Sequence, residues 1–69
     1  MSNRLREIRT EADCRLLELA ARAKCSPSLI HQVEVYGHEP RPATKQKIAD
    51  ALGVTVAVVW PEQEAARAR

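Results

Sequence analysis

The stretch KCSPSLIHQVEVYG, Lys24–Gly37, contains a helix-start signal followed by one apolar face. Ser26 is a favoured N-cap residue, and Pro27 suits the first helical position because the N–H that it lacks would have no intrahelical partner there. At helical spacing the apolar side chains fall on one side of this segment and the polar ones on the other. The inner residues are Ile30 and Val33, and the outer residues are Ser28, His31 and Gln32. A helix is therefore predicted over about residues 27–35, and its outward face needs an explanation.

Helix signals also lie on both sides of this stretch. Only Lys24 and Cys25 separate the preceding helical pattern from Ser26, so the connection between the two helices is very short. Downstream, Gly37 and Pro40 mark a loop before the next helix. Apolar residues recurring at helical spacing predict these further helices over about residues 3–12, 16–23 and 42–52.

The segment VTVAVVW, residues 54–60, carries conflicting signals. Its β-branched residues favour a strand, whereas its short length and the lack of a partner strand favour a last short helix capped by Thr55. An all-α domain is predicted over residues 1–61. The polar residues 62–69 are predicted to fray as a C-terminal tail.

Composition limits the possible classes of protein. The chain has 69 residues, 45% of them hydrophobic, which allows one small domain with a modest core. A net charge of +2 decides nothing by itself, because binding to nucleic acid depends on where the positive charge clusters. No apolar run approaches the ~18 residues of a membrane span, and no secretion signal is present, so a cytoplasmic location is expected.

Two cysteines and two histidines raise the possibility of a metal or disulfide site. Cys14, Cys25, His31 and His38 lack the paired close spacing of a structural zinc site. A disulfide is disfavoured in a cytosolic chain, and free cysteine is among the most buried residue types. Both cysteines are therefore predicted to be small core residues, and no metal or cofactor is expected.

A helix, a short turn and a second helix opened by Ser-Pro form the plan of a helix-turn-helix. Between Leu5 and Trp60 the chain resembles the lambda-repressor-like, or XRE/Cro-type, helix-turn-helix family. The segments that carry the resemblance are LREIR, LAARAKCSPSLIHQVE, IADALGV and VVW. They cover about four-fifths of the chain in register, which is far more specific than one short motif.

The resemblance implies a five-helix bundle whose second and third helices form the helix-turn-helix. It further implies a sequence-specific regulator of transcription, of the phage, plasmid or bacterial repressor type, that binds an operator-like site on double-stranded DNA as a homodimer. Its location would be the bacterial cytoplasm or nucleoid. By position, the base-facing residues would be Pro27, Ser28, Leu29, His31 and Gln32. Gln32 is the best candidate, because its amide can bond adenine at two atoms.

Phosphate contacts are expected from polar and basic residues that flank the groove-reading helix. These are Arg15, Lys24, Ser26, Tyr36, His38, Arg41 and Lys45. The resemblance also implies a structural ion pair between Arg9 and Glu34, since guanidinium and carboxylate can join two helices through two parallel hydrogen bonds.

Several positions depart from the family pattern, among them Leu16, Leu17 and Lys24. Leu16 stands where a glutamine often contacts phosphate, and Leu17 occupies a site that is usually polar. These two leucines could pack under the first loop or form an apolar patch for a partner. Lys24 occupies a turn site often held by glycine, so it is predicted to adopt positive φ at some energetic cost.

Two other classes of function are an enzyme and a protein-interaction module. An enzyme is not expected, because the carboxylates lie on exposed helical faces and no glycine-rich phosphate loop is present. Membrane association and a small-molecule ligand are not expected either. The main alternative is a protein-interaction module of the same fold, such as an antitoxin or accessory subunit. Its contact surface would be Leu16, Leu17, Val56, Val59 and Trp60.

Overall fold

Five helices make up the part of the chain that the computed structural model describes, residues 3–61. The predicted tail over 62–69 lies outside the described residues, so the domain division stays a prediction. All-α architecture is confirmed, and residues 54–60 contain a helix rather than a strand. The helices are α1 Leu5–Glu11, α2 Leu16–Ala23, α3 Pro27–Tyr36, α4 Pro42–Leu52 and α5 Val56–Val59.

Helix α1 is shorter at its start than predicted, because Asn3 caps it from outside. The Asn3 Oδ1 atom accepts a hydrogen bond from the Leu5 N–H at 3.0 Å, and its Nδ2 donates to the Val33 carbonyl at 3.0 Å. The Arg4 N–H donates to the Val59 carbonyl at 2.8 Å. Asn3 therefore connects the start of α1 to α3, and Arg4 connects it to the end of α5.

The core is formed where α2 packs against α3 and α4, with α1 covering α3 and α5 covering α4. Its largest fully buried side chains are mostly aliphatic, with one indole: Leu5, Leu19, Ile30, Val33, Ile48, Val59 and Trp60. Burying one such aliphatic side chain is worth about 1.5–3 kcal/mol relative to leaving it exposed. The cysteine prediction is confirmed, since Cys14 is buried in this core and Cys25 packs against it, both as free thiols.

Helix α5 forms against its own β-branched composition. Val59 and Trp60 are fully buried, and the backbone N–H of Trp60 donates to the Val56 carbonyl at 2.8 Å. Burial of these side chains against α4 outweighs a propensity difference of a few tenths of a kcal/mol per residue. Thr55 occupies the predicted N-cap position of α5, although its side chain makes no hydrogen bond to the helix.

Candidate nucleic-acid interface

The turn between α2 and α3 is built on a lysine in the left-handed conformation. Lys24 has φ 56° and ψ 43°, which confirms the positive φ predicted for it. This conformation lets the Cys25 N–H reach back to the Ala20 carbonyl at 2.9 Å and close the end of α2. Ser26 then caps α3, since its Oγ accepts a hydrogen bond from the Leu29 N–H at 3.1 Å. Only Cys25 therefore separates the C-cap residue of α2 from the N-cap residue of α3, which sets the orientation of α3.

Backbone strain at Lys24 can be measured directly. We expect Lys24→Gly to be about 1 kcal/mol more stable than Lys24→Ala, because glycine adopts positive φ without the Cβ clash that alanine keeps. Both variants lose the same charge, so their difference isolates the backbone effect. In a domain of this size the gap corresponds to about 4–8 °C in Tm, which thermal unfolding followed by circular dichroism would detect. Equal Tm values for the two variants would contradict the strained turn.

Helix α3 presents a polar outer face opposite its core face. Ile30 and Val33 have no exposed surface, so they anchor the helix on α2 and α1. We use the term outer face for the four exposed residues Pro27, Ser28, His31 and Gln32. The last three lie at i, i+3 and i+4, on one side of the helix. None of them is needed for the core.

Leu29 differs from the other residues expected to face a base. It is half-buried and packs against the hydrophobic core. Most of its apolar surface is therefore used for packing, and we remove it from the set of base contacts. The prediction had placed it beside the groove-reading edge because sequence spacing alone does not reveal how the neighbouring helices cover that side.

Exposed basic side chains lie in the segments that precede and follow α3. Arg15 and Lys24 occupy the two cap positions of α2, and Arg41 occupies the N-cap position of α4. His38 lies in the loop that follows α3, where its backbone N–H donates to the Gln32 backbone carbonyl at 3.2 Å. Gly37 makes this exit from the helix possible with φ 67°. These side chains, together with Ser26 and Tyr36, are solvent-exposed and available to an anionic partner.

Lys45 is not among them, and its assignment to phosphate is corrected. The residue is only 3% exposed, forms an ion pair with Glu39, and its Nζ lies 5.4 Å from the centroid of the Trp60 ring. A lysine held this way inside the domain cannot reach a phosphate on the outside. Its pairing with Glu39 fastens the loop between α3 and α4 to the core, and it neutralises a carboxylate beside His38 and Arg41.

A buried ion pair fixes the C-terminal half of α3 to α1. Arg9 donates from Nε to Glu34 Oε2 at 2.6 Å and from Nη2 to Oε1 at 3.1 Å, as the family resemblance implies. Its Nη1 also donates to the Cys14 carbonyl at 2.9 Å, a contact with no signal in the sequence. The Glu34 side chain is 3% exposed, and its hydrogen bonds raise the pKa of the Arg9 guanidinium above its ordinary value. Glu34 therefore serves the fold and not an external ligand.

One contact on the outer face was not foreseen. The Tyr36 ring meets the His31 imidazole in a T-shaped arrangement, with ring centroids 5.9 Å apart and planes at 79°. Both side chains are exposed, so the core does not require this contact. Sequence position makes both residues candidate DNA contacts, but their spacing of five residues does not predict that the two rings touch each other.

The described residues offer little support for other kinds of site. Among residues 3–61, no cluster of three or more His, Cys, Asp or Glu side chains is arranged to hold a metal ion. Within the same range, none of the helices is long and apolar enough to cross a membrane. The arrangement that remains combines a polar helix face carrying hydrogen-bonding groups with exposed basic side chains in the segments that precede and follow it.

Comparison with known proteins agrees with this arrangement. A helix-turn-helix family model matches residues 5–59, which includes all five helices. Neither the curated proteins nor the solved structures contain a match. The matched family consists of DNA-binding regulators and is not typically enzymatic. On this evidence the chain belongs to the lambda-repressor-like, XRE-type family of helix-turn-helix proteins.

Proposed function

We propose that this DNA-binding regulator lays α3 in the major groove of an operator-like site and acts there as a repressor. The observation that carries the proposal is the outer face of α3, which projects Ser28, His31 and Gln32 from a helix anchored by Ile30 and Val33. A helix fits the B-DNA major groove, and each base pair presents a distinct pattern of donors and acceptors there. The amide of Gln32 can both accept from and donate to an adenine edge.

Exposed basic side chains supply the second part of the proposed mechanism. Arg15 and Lys24 lie at the two caps of α2, His38 and Arg41 follow α3, and we place these side chains at the two phosphate backbones that would border an occupied groove. Ser26 and Tyr36 add uncharged hydrogen-bonding groups at the two ends of α3. All of these phosphate contacts would hold the helix in register, and the charged ones would carry the salt-dependent part of the affinity, whereas base contacts would determine the preferred sequence.

Dimerisation is part of the same proposal. One short helix contacts few base pairs, so a two-fold pair of protomers would double the recognised site. The half-sites would then lie about one helical turn apart, roughly 34 Å along the DNA. A selection from random duplexes tests this geometry, because a dimer should recover inverted repeats with a fixed spacing.

The decisive experiment is such a selection with the parent protein and with Gln32→Ala. We expect the parent to enrich a defined site and the variant to lose preference at one base pair per half-site. Loss of a two-bond contact should weaken binding to the selected half-site by about 1–3 kcal/mol, or roughly 5- to 150-fold, without changing the salt dependence. Quantitative binding at several salt concentrations measures both quantities. A parent protein that enriches no site would refute the proposed function.

Arg41→Ala is the matched control for that experiment. Arg41 is exposed at the start of α4 and is proposed to contact phosphate only. Its removal should weaken binding to all duplexes equally and reduce the slope of log K against log salt by about 0.9. The two variants therefore separate base reading from backbone contact. If Gln32→Ala behaved like Arg41→Ala, base reading by Gln32 would be wrong.

The protein-interaction module is a second candidate function, and the structure supports only part of its predicted contact surface. Its surface as predicted is wrong in two members, because Val59 and Trp60 are buried inside the domain. Leu17 is 67% exposed, and Leu16 and Val56 are half-buried, so these three residues are the part of that surface that survives. Leu17→Ser separates the two candidates. It should leave duplex binding unchanged for a DNA reader, and it should abolish a partner complex that is insensitive to salt.

A further inference from the structure

The contact between Tyr36 and His31 lies on the exposed surface of α3, outside the core. Tyr36 is the last residue of α3 and is 75% exposed, so its ring contributes little to the core. His31 belongs to the outer face, one helical turn after Ser28. The two rings nevertheless meet edge to face with their centroids 5.9 Å apart. An exposed aromatic ring thus contacts a neighbouring side chain that is proposed to read DNA.

Helix geometry alone does not bring these two rings together. Residues five apart differ by about 140° around an α-helix, whereas side-chain neighbours lie at i+3 and i+4. The contact forms because long helical side chains lean towards the helix N-terminus. The Tyr36 ring therefore lies back over the surface that precedes it, where it reaches the imidazole. Beyond Tyr36, Gly37 turns the chain away from the helix axis with φ 67°, so that α3 ends at this ring.

We infer that Tyr36 is a positioning residue that holds the His31 imidazole in one orientation before DNA arrives. A T-shaped pair of rings is favourable, and it restricts an exposed side chain that would otherwise sample several rotamers. A side chain that is already ordered loses less entropy on binding, so its hydrogen bond contributes more to affinity and sequence preference. His31 would then act as a second specificity residue beside Gln32, with its ring N–H directed at an acceptor such as a purine N7.

This role of Tyr36 differs from the phosphate contact first assigned to it. The positioning role needs only the aromatic ring, whereas a phosphate contact needs the hydroxyl. Tyr36→Phe keeps the ring and removes the hydroxyl, and Tyr36→Ala removes both. The inference rests on the proposed function. The ring contact itself can be tested in the free protein, because it forms without DNA.

The experiment compares the parent, Tyr36→Phe, Tyr36→Ala, His31→Ala and the double alanine variant. In the free protein, NMR should show a ring-current shift of the His31 ring protons that Tyr36→Phe retains and Tyr36→Ala loses. In duplex selection, Tyr36→Ala should lose preference at the same base pair as His31→Ala, with a two- to tenfold loss of affinity for the selected site. The salt slope should stay unchanged. The double variant should be no weaker than His31→Ala, because both changes remove one coupled unit.

Three outcomes would overturn the inference. Tyr36→Phe could lose the preference at the base pair read by His31, which would assign the role to the hydroxyl and not to the ring. Tyr36→Ala could keep the preference of the parent at the base pair read by His31. His31→Ala could change no base preference at all. In each case a parent that still selects a defined site leaves the proposed function intact, whereas a parent that selects none removes both proposals.

Discussion

Replacing Glu34 with alanine is expected to lower the free energy of unfolding by about 3 kcal/mol. The carboxylate is 3% exposed and accepts two hydrogen bonds from Arg9, so the variant leaves a guanidinium near the core without its charged partner. A chain of 69 residues has a total stability on the order of 3–10 kcal/mol, and the loss is a large fraction of it. Urea unfolding at neutral pH, followed by far-UV circular dichroism, measures the change.

Two controls define what that result means. Glu7→Ala breaks the exposed ion pair between Arg4 and Glu7, and it should leave the urea midpoint nearly unchanged. The double variant Arg9→Met with Glu34→Leu replaces the buried pair by apolar side chains and should recover most of the lost stability, because no unpaired charge remains. A loss below about 0.5 kcal/mol for Glu34→Ala would show that the ion pair does not hold α3 to α1.

Replacing Trp60 with alanine is the other change with a large expected effect, a loss of about 3–5 kcal/mol. Trp60 is 1% exposed, lies at the end of α5 and covers the buried Lys45 ammonium with its ring. Alanine would leave a cavity beside α4 and would remove the aromatic face from a buried cation. Thermal and urea unfolding followed by circular dichroism report this loss without relying on the fluorescence of the single tryptophan.

Trp60→Phe is the matched control, since it keeps an aromatic ring in the same place. Within residues 3–61, the buried Trp60 Nε1 has no hydrogen-bond partner, so removal of this N–H also removes an unfavourable buried donor. We expect phenylalanine to lose less than half of the stability that alanine loses. Similar losses for the two variants would mean that an aromatic ring at position 60 does not preserve stability, against the packing role described above.

The start of α3 shows what local sequence could predict. Ser26 and Pro27 were interpreted as an N-cap and first-turn pair, and both occupy those positions in the structure. Ile30 and Val33 were predicted to face inward and are fully buried. These predictions succeed because capping and helical periodicity involve residues only a few positions apart. Positive φ at Lys24 was equally predictable once its place in the turn was recognised.

Lys45 shows where local sequence failed. Its charge and its place after α3 predicted a phosphate contact, yet its surroundings come from Glu39 in the preceding loop and Trp60 beyond α5. A lysine at helical spacing looks the same in sequence whether its ammonium reaches solvent or is buried against a neighbouring carboxylate and ring. The choice depends on which distant side chains cover that position, and spacing along one helix does not contain that information.

The amino-acid sequence by itself determined the family, four of the helices and the inner and outer faces of α3, because these follow from caps, periodicity and a long match in register. Only the tertiary structure decided that residues 56–59 are helical, that Leu29 packs inward and that His31 meets Tyr36. Each of these depends on side chains brought together from separate turns or separate helices. Burial across such contacts outweighs local propensity, and it sets the final shape of the proposed DNA-reading surface.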